Sequence, residues 1–210
     1  MSKIEKIKMP LEKRVLDIII GIFLVIILLP FIIFVLLVML VEGIFLRSSR
    51  GPIFYTETRI SQGETFKLYK FRIFKTDVLN NRDFIETKRL EENKNNLTWA
   101  GKMLKQIYMD ELPQLINVFH GEMSLVGPRP TNLKVSQKLF DEGSLSKFLI
   151  KAGVTGYYQS HKGNKFHADQ EKLDMMYVDF CRNNPGWKIV LYDLKIILIT
   201  IWSVLRAEGL

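Results

Sequence analysis

One cysteine, Cys181, stands among 210 residues, so no disulfide can close within the chain. Without a reactive motif beside it, that thiol reads as a small buried hydrophobe. Histidine is scarce too. His120, His161 and His167 form no His-x-x-x-His pair, and with a single cysteine they do not make the ligand set of a structural zinc site. No internal repeat and no low-complexity tract interrupts the chain. Acidic residues are in deficit, 22 against 30 Lys and Arg, which leaves a net charge of +8. That balance suits anionic partners: lipid head groups, phosphorylated substrates or nucleic acid. The cations are scattered rather than striped, which argues against a nucleic-acid binder.

Apolar residues are abundant, at 48% against 25% charged. From Ile18 to Val41 there are 24 residues without a charge, "IIIGIFLVIILLPFIIFVLLVMLV". A straight helix of that length is ~36 Å long, enough to cross a ~30 Å hydrocarbon core. The run is too long for the apolar region of a signal peptide, and no small-x-small cleavage site follows it. Pro30 falls near its middle, where it removes a backbone donor and kinks the helix. Such a helix can span the membrane, or enter and return to the same face. Basic residues flank the run on both sides, so charge does not decide between the two.

The remainder reads as a mixed, mostly helical α+β chain. Pro52 to Ile60 and Thr65 to Phe74 are β-branched and aromatic around "SQG", a hairpin pattern. Thr76 to Asn96 is polar and reads as loop with some helix. Helices are expected from about Thr98, from Asp110 to about Phe119, over Ser136 to Ile150 and over Ala168 to Cys181. Ala152 to Ser160 reads as a loop or short strand. Trp187 to Arg206 is strongly apolar with aromatics at both ends. It fits either a core helix or a helix lying in the bilayer interface, and it is too charged at Asp193 and Lys195 for a clear span.

The stretch "MDELPQLINVFHGEMSLVGPRP" sets Asp110 beside Glu111 and ends in a stiff Gly-Pro-Arg-Pro. As an ordinary feature, Asp-Glu-x-Pro is a helix start. As a site, a carboxylate there can attack phosphorus and hold a phospho-intermediate. Its neighbour can help hold Mg²⁺, which favours carboxylate and phosphate oxygens. Arg129, held between Pro128 and Pro130, can clamp a phosphate. Lys70 and Arg72, two apart on a strand, would share a face and add positive charge.

These blocks, in order, resemble the bacterial sugar transferases, the monotopic phosphoglycosyl transferases. The resemblance runs through "KRVLDII" and the proline-broken apolar run, "GPIFYTETR", "FKLYKFR", "DELPQLINVFHGEMSLVGPRP", "AGVTGYYQ", "LDMMYVDF" and "DLKIILIT". It covers nearly the whole chain and is closest in length to the minimal, catalytic-only members. It implies a monotopic, mostly helical α+β protein with a re-entrant membrane helix broken at Pro30 (residues 1–46), a small β-hairpin and interfacial helices, the catalytic domain (residues 47–210) ending in a C-terminal amphipathic helix. It implies transfer of a phosphosugar from a UDP-sugar to undecaprenyl phosphate at the cytoplasmic face of the bacterial inner membrane, as the first membrane step of glycan assembly. Asp110 would be the nucleophile. Glu111 and Mg²⁺ would assist, both residues serving the metal. Arg129, Lys70, Arg72, Lys105, Gln159 and Asn164 would bind substrate or phosphate. The implied partners are both substrates, the membrane and downstream glycosyltransferases. This sequence departs from the usual pattern at Leu29 before the proline, and at Lys105, where arginine is usual. It departs again at Ala152 to Tyr157 and at His161 to Asn164, where an arginine is missing in register. Those departures leave open a weak or inactive member that acts as a membrane scaffold.

Overall fold

The computed structural model describes residues 5–80, 87–161 and 170–205. Among these residues the fold is a mostly helical α+β arrangement with two two-stranded sheets. Helix α1 (Leu11–Phe45) opens it, 35 residues long and helical without interruption through Pro30. The two strands β1 (Phe54–Ser61) and β2 (Glu64–Phe71) form the expected hairpin. Gln62 and Gly63 both take positive φ, the conformation of a tight two-residue hairpin turn.

Short helices α2 (Thr76–Asn80) and α3 (Thr87–Glu92) follow, then α4 (Trp99–Gln106) and α5 (Gln114–His120). Next come strand β3 (Met123–Val126), helices α6 (Leu133–Asp141) and α7 (Ser146–Leu149), strand β4 (Ala152–Thr155) and helix α8 (Tyr157–His161). Helices α9 (Gln170–Asn183) and α10 (Gly186–Leu205) close the described chain. The stretch read as one helix over Ser136 to Ile150 is two, because Gly143 turns left-handed at φ +84 between them.

The chain divides into two compact units. One holds residues 1–22, 58–67 and 115–210, and the other residues 23–57 and 68–114. In the first unit β3 and β4 pair in parallel, with Met123 opposite Ala152 and Val126 opposite Thr155. Glycines make that pairing possible at its end. A Cβ on Gly153 would stand 2.1 Å from the Gly127 nitrogen, and one on Gly156 would stand 2.2 Å from the Gly127 oxygen. The start of α1 braces the same strand. Lys13, fully buried, donates to the Val126 carbonyl at 3.1 Å and to Asp193 at 2.5 Å, while Asp17 accepts from the Leu125 amide at 3.0 Å. Tyr177 donates to Asp193 at 2.6 Å and completes the buried group. An ammonium this deep persists only because every one of its bonds ends on an oxygen.

The second unit has its own core of Val35, Met39, Tyr55, Phe71, Ile73, Phe74, Leu97, Ala100 and Leu104. Thr98 caps α4, its hydroxyl accepting from the Gly101 amide at 2.8 Å. Glu42 of α1 takes two more of the unsatisfied amides at that helix start, Trp99 at 2.7 Å and Ala100 at 2.9 Å. Ser49 donates to the same carboxylate at 2.8 Å.

Candidate active site

Asp110 lies in a 3-10 turn, Met109–Glu111, and not at the start of a helix as its sequence context suggests. Pro113 is the reason. An α-turn here would need the residue 113 amide to bond the Met109 carbonyl, and proline has no N–H. The Leu112 amide closes a shorter turn on Met109 instead, at 3.3 Å, and α5 begins only at Gln114. Ahead of the turn, Tyr108 adopts φ +56 and ψ 20, a left-handed conformation that ends α4. A non-glycine residue there costs ~1 kcal/mol.

The turn leaves Asp110 only 6% exposed. Burial pushes its carboxyl up to about 6. Lys70 opposes the rise, Glu111 and Glu91 add to it, and Lys105 opposes it again. No hydrogen bond or ion pair among the described residues engages that carboxylate. Its neighbours are engaged. Lys70, buried on β2, pairs with Glu111 at 3.2 Å. Burial alone would lower the Lys70 ammonium, but Glu111, then Glu57, Asp110 and Glu91, hold it above its usual range. Lys70 therefore stays charged, and Glu111 is the first of the carboxylates that keep it so. Lys105 is bonded to Glu91 of α3.

Two carboxylates in this group were not singled out from sequence. Glu57 is buried and accepts from Tyr55 at 3.1 Å. Burial and then Glu57 hold the Tyr55 phenol well above its ordinary range, so it remains a donor. Strand alternation carried a signal for Glu57, since Tyr55 and Glu57 are two apart and share a face. Glu91 sat in a polar stretch with no pattern to mark it.

Of the other expected site residues, Arg72 has a different employment from Lys70. Its guanidinium donates to the carbonyls of Pro52 at 2.7 Å, Phe74 at 2.9 Å and Ser49 at 2.6 Å. Desolvation lowers its pKa, with Glu42 opposing. Those bonds make it a clamp on the loop that follows α1.

Arg129, Gln159 and the Gly127–Pro130 loop belong to the first unit. Arg129 is exposed, and the loop before it is fixed by bonds from the Gly127 amide to Thr155 at 2.9 Å and from the Gly153 amide to Pro128 at 3.0 Å. Gln159 is buried, and neither its amide nitrogen nor its oxygen finds a hydrogen-bond partner among the described residues. Asn164 lies outside the described residues.

The chemistry of the Asp110 group suits a hard divalent cation. The donors are all carboxylate oxygens, and Asp110, Glu111, Glu57 and Glu91 outnumber the ammonium groups of Lys70 and Lys105. Among the described residues no three His, Cys, Asp or Glu side chains assemble into a ready metal cage. Mg²⁺ commonly binds in this way, through one or two carboxylates with water and substrate phosphate completing its shell.

The sequence model of one family, the bacterial sugar transferases, matches residues 8–207. The chain is 35% identical over 162 residues to the sugar transferase EpsL of Bacillus subtilis, covering 76% of this chain and 73% of that one. It is 32% identical over 213 residues to the exopolysaccharide production protein ExoY of Sinorhizobium fredii, covering 95% and 88%. It is also 32% identical over 165 residues to the UDP-glucose:undecaprenyl-phosphate glucose-1-phosphate transferase of Escherichia coli, covering 74% of this chain and a third of that longer protein. With its matched span running almost end to end, the chain belongs to the bacterial sugar transferase family.

Proposed function

We propose that this protein transfers a sugar 1-phosphate from a UDP-sugar to undecaprenyl phosphate, with Asp110 as nucleophile. The supporting observation is the buried, unengaged carboxylate of Asp110 beside a Lys70–Glu111 pair. An Asp110 oxygen attacks the phosphorus that carries the sugar. The bond from that phosphorus to the bridging oxygen breaks, and its electron pair leaves with UMP. The product is an aspartyl-phosphosugar. An oxygen of undecaprenyl phosphate then attacks the same phosphorus and releases the Asp110 carboxylate, which gives undecaprenyl diphosphate sugar.

Each group has a chemical reason for its part. Asp110 must be ionised to attack, so it works above about pH 6. Lys70 holds Glu111 in place and supplies positive charge next to the reacting phosphate. Arg129 binds a phosphate. Asp110 and Glu111 would hold Mg²⁺, which neutralises phosphate charge when bound. Names of relatives support the substrate classes. Besides the Escherichia coli protein, one relative is named a UDP-N-acetylgalactosamine-undecaprenyl-phosphate N-acetylgalactosaminephosphotransferase.

Residues 1–46 serve as the membrane element of this reading, with the rest as the catalytic part. α1 is long and apolar enough to cross a membrane, and little of it is buried in the protein. α1 is continuous through Pro30, so re-entry would require a sharp bend of the helix at that proline, which would place both ends on the cytoplasmic face of the inner membrane. α10 adds an exposed stripe of Trp187, Leu191, Leu198 and Trp202, positions that share one helical face and suit the bilayer interface. The product would then pass to glycosyltransferases that extend it.

The test is UMP release from a panel of UDP-sugars by protein in nanodiscs with Mg²⁺ and undecaprenyl phosphate. Continued release that needs both the lipid and Asp110 is the expected result, with release stopping at one UMP per protein when the lipid is left out. Glycan output restored in cells by an Asp110→Asn variant would instead favour a scaffold.

A further inference from the structure

The unit that holds Asp110 also carries an exposed rim that the transfer chemistry leaves unused. Helix α4 buries Ala100, Gly101 and Leu104, and turns Trp99, Lys102 and Gln106 outward. Ile107 and Tyr108 prolong this outward edge, 45% and 51% exposed. Tyr108 occupies the left-handed position where a glycine would sit without strain. A large aromatic ring kept at a strained helix end and turned outward points to a use outside the core.

The other end of the edge meets the end of the apolar helix. Trp99 is 63% exposed, and its amide bonds to Glu42, one turn before α1 ends. Phe45 and Leu46 are exposed there. Arg50 donates to the last carbonyls of α1, Gly43 at 2.9 Å and Ile44 at 3.2 Å. Arg47, Arg50 and Lys102 are all exposed. Aromatic rings interleaved with outward cations, continuous with an apolar helix, match the head-group layer of an anionic bilayer. The rings suit the acyl boundary, and the cations suit lipid phosphates.

We propose that the edge from Trp99 to Tyr108 lies in the head-group layer of an anionic bilayer and guides the lipid phosphate to Asp110, two residues beyond Tyr108. This rests on α1 being inserted in the membrane. It makes Tyr108 and Trp99 determinants of acceptor use rather than of donor use.

The test uses the full chain carrying Trp187→Phe and Trp202→Phe, so that Trp99 is the remaining tryptophan of three. The protein is bound to vesicles of phosphatidylglycerol and phosphatidylcholine, with bromines on the acyl chains either near the head group or near the chain end. Strong quenching of Trp99 by the shallow bromines is expected. In the same vesicles, Tyr108→Asn, which tolerates the left-handed backbone, should raise the KM for undecaprenyl phosphate about tenfold. It should leave the KM for the UDP-sugar and UMP release in the absence of acceptor unchanged, and Tyr108→Trp should restore the wild-type KM. Vesicle-bound protein with unquenched Trp99 would overturn the proposal. So would an equal rise in both KM values, which marks a purely structural role. Failure to float with vesicles at all would refute the membrane reading of α1 and this proposal together. Quenching is read without turnover, so it stands or falls independently of the transferase reading.

Discussion

Replacing Asp110 by asparagine should stabilise the protein while ending its chemistry. The carboxyl sits at about 6 in the folded chain against an ordinary value of 3.8, chiefly because it is buried. The folded state therefore binds the proton more tightly than the unfolded one. Stability falls as pH rises from below 3.8 to above 6, and the full cost is carried at neutral pH. Each pH unit between the two values is worth ~1.4 kcal/mol, so ionised Asp110 costs about 3 kcal/mol at pH ~7.5 and about 1 kcal/mol at pH ~4.5. Asparagine keeps the shape and removes the charge. For a chain of this size the gain corresponds to a rise in Tm of roughly 6–12 °C at the higher pH. The assay is thermal unfolding of both proteins in one detergent, followed by tryptophan fluorescence at the two pH values. A gain that shrinks about threefold on acidification is expected. An unchanged or lowered Tm at the higher pH would refute the reasoning, because it would mean that the folded state welcomes the charge.

Three further outcomes follow from the same geometry. Lys70→Met leaves Glu111 without its buried partner, so it should cost about 3–5 kcal/mol in denaturant unfolding. It should also move the acid limb of UMP release to higher pH, since Lys70 is the first group opposing the rise at Asp110. Arg72→Lys retains the charge but cannot reach three carbonyls at once. It should lower stability by about 1.5–3 kcal/mol with the KM for the UDP-sugar unchanged, and a raised KM would restore Arg72 to the substrate. Burial pushes the Cys181 thiol up to about 11, so a maleimide should label it only after denaturation, as mass spectrometry would show.

Much of this was legible in the residues because it rested on local pattern. The charge-free run gave α1, alternating β-branched residues gave the hairpin, and Thr98 marked the start of α4. What escaped depended on partners distant in the chain. Met123–Val126 is four residues of fully buried strand whose parallel partner lies at Ala152–Thr155, and so short an apolar run has no period to read. The 3-10 turn at Asp110 was hidden by a proline that looked like a helix-start residue, because the missing bond mattered more than the propensity. Lys70 and Arg72 looked alike as neighbouring strand cations. Only the three carbonyls around Arg72 and the carboxylates around Lys70 tell a clamp on a loop from a neighbour of Asp110.

The most direct test of the account is mass spectrometry of the intact protein and of its peptides after mixing with a UDP-sugar and Mg²⁺ without acceptor. The account predicts a mass gain of one phosphosugar on the peptide holding Asp110, release of an equal amount of UMP, and loss of the adduct when undecaprenyl phosphate is added. UMP released only when the acceptor is present, with Asp110 never modified, would contradict it and indicate direct transfer between the two substrates.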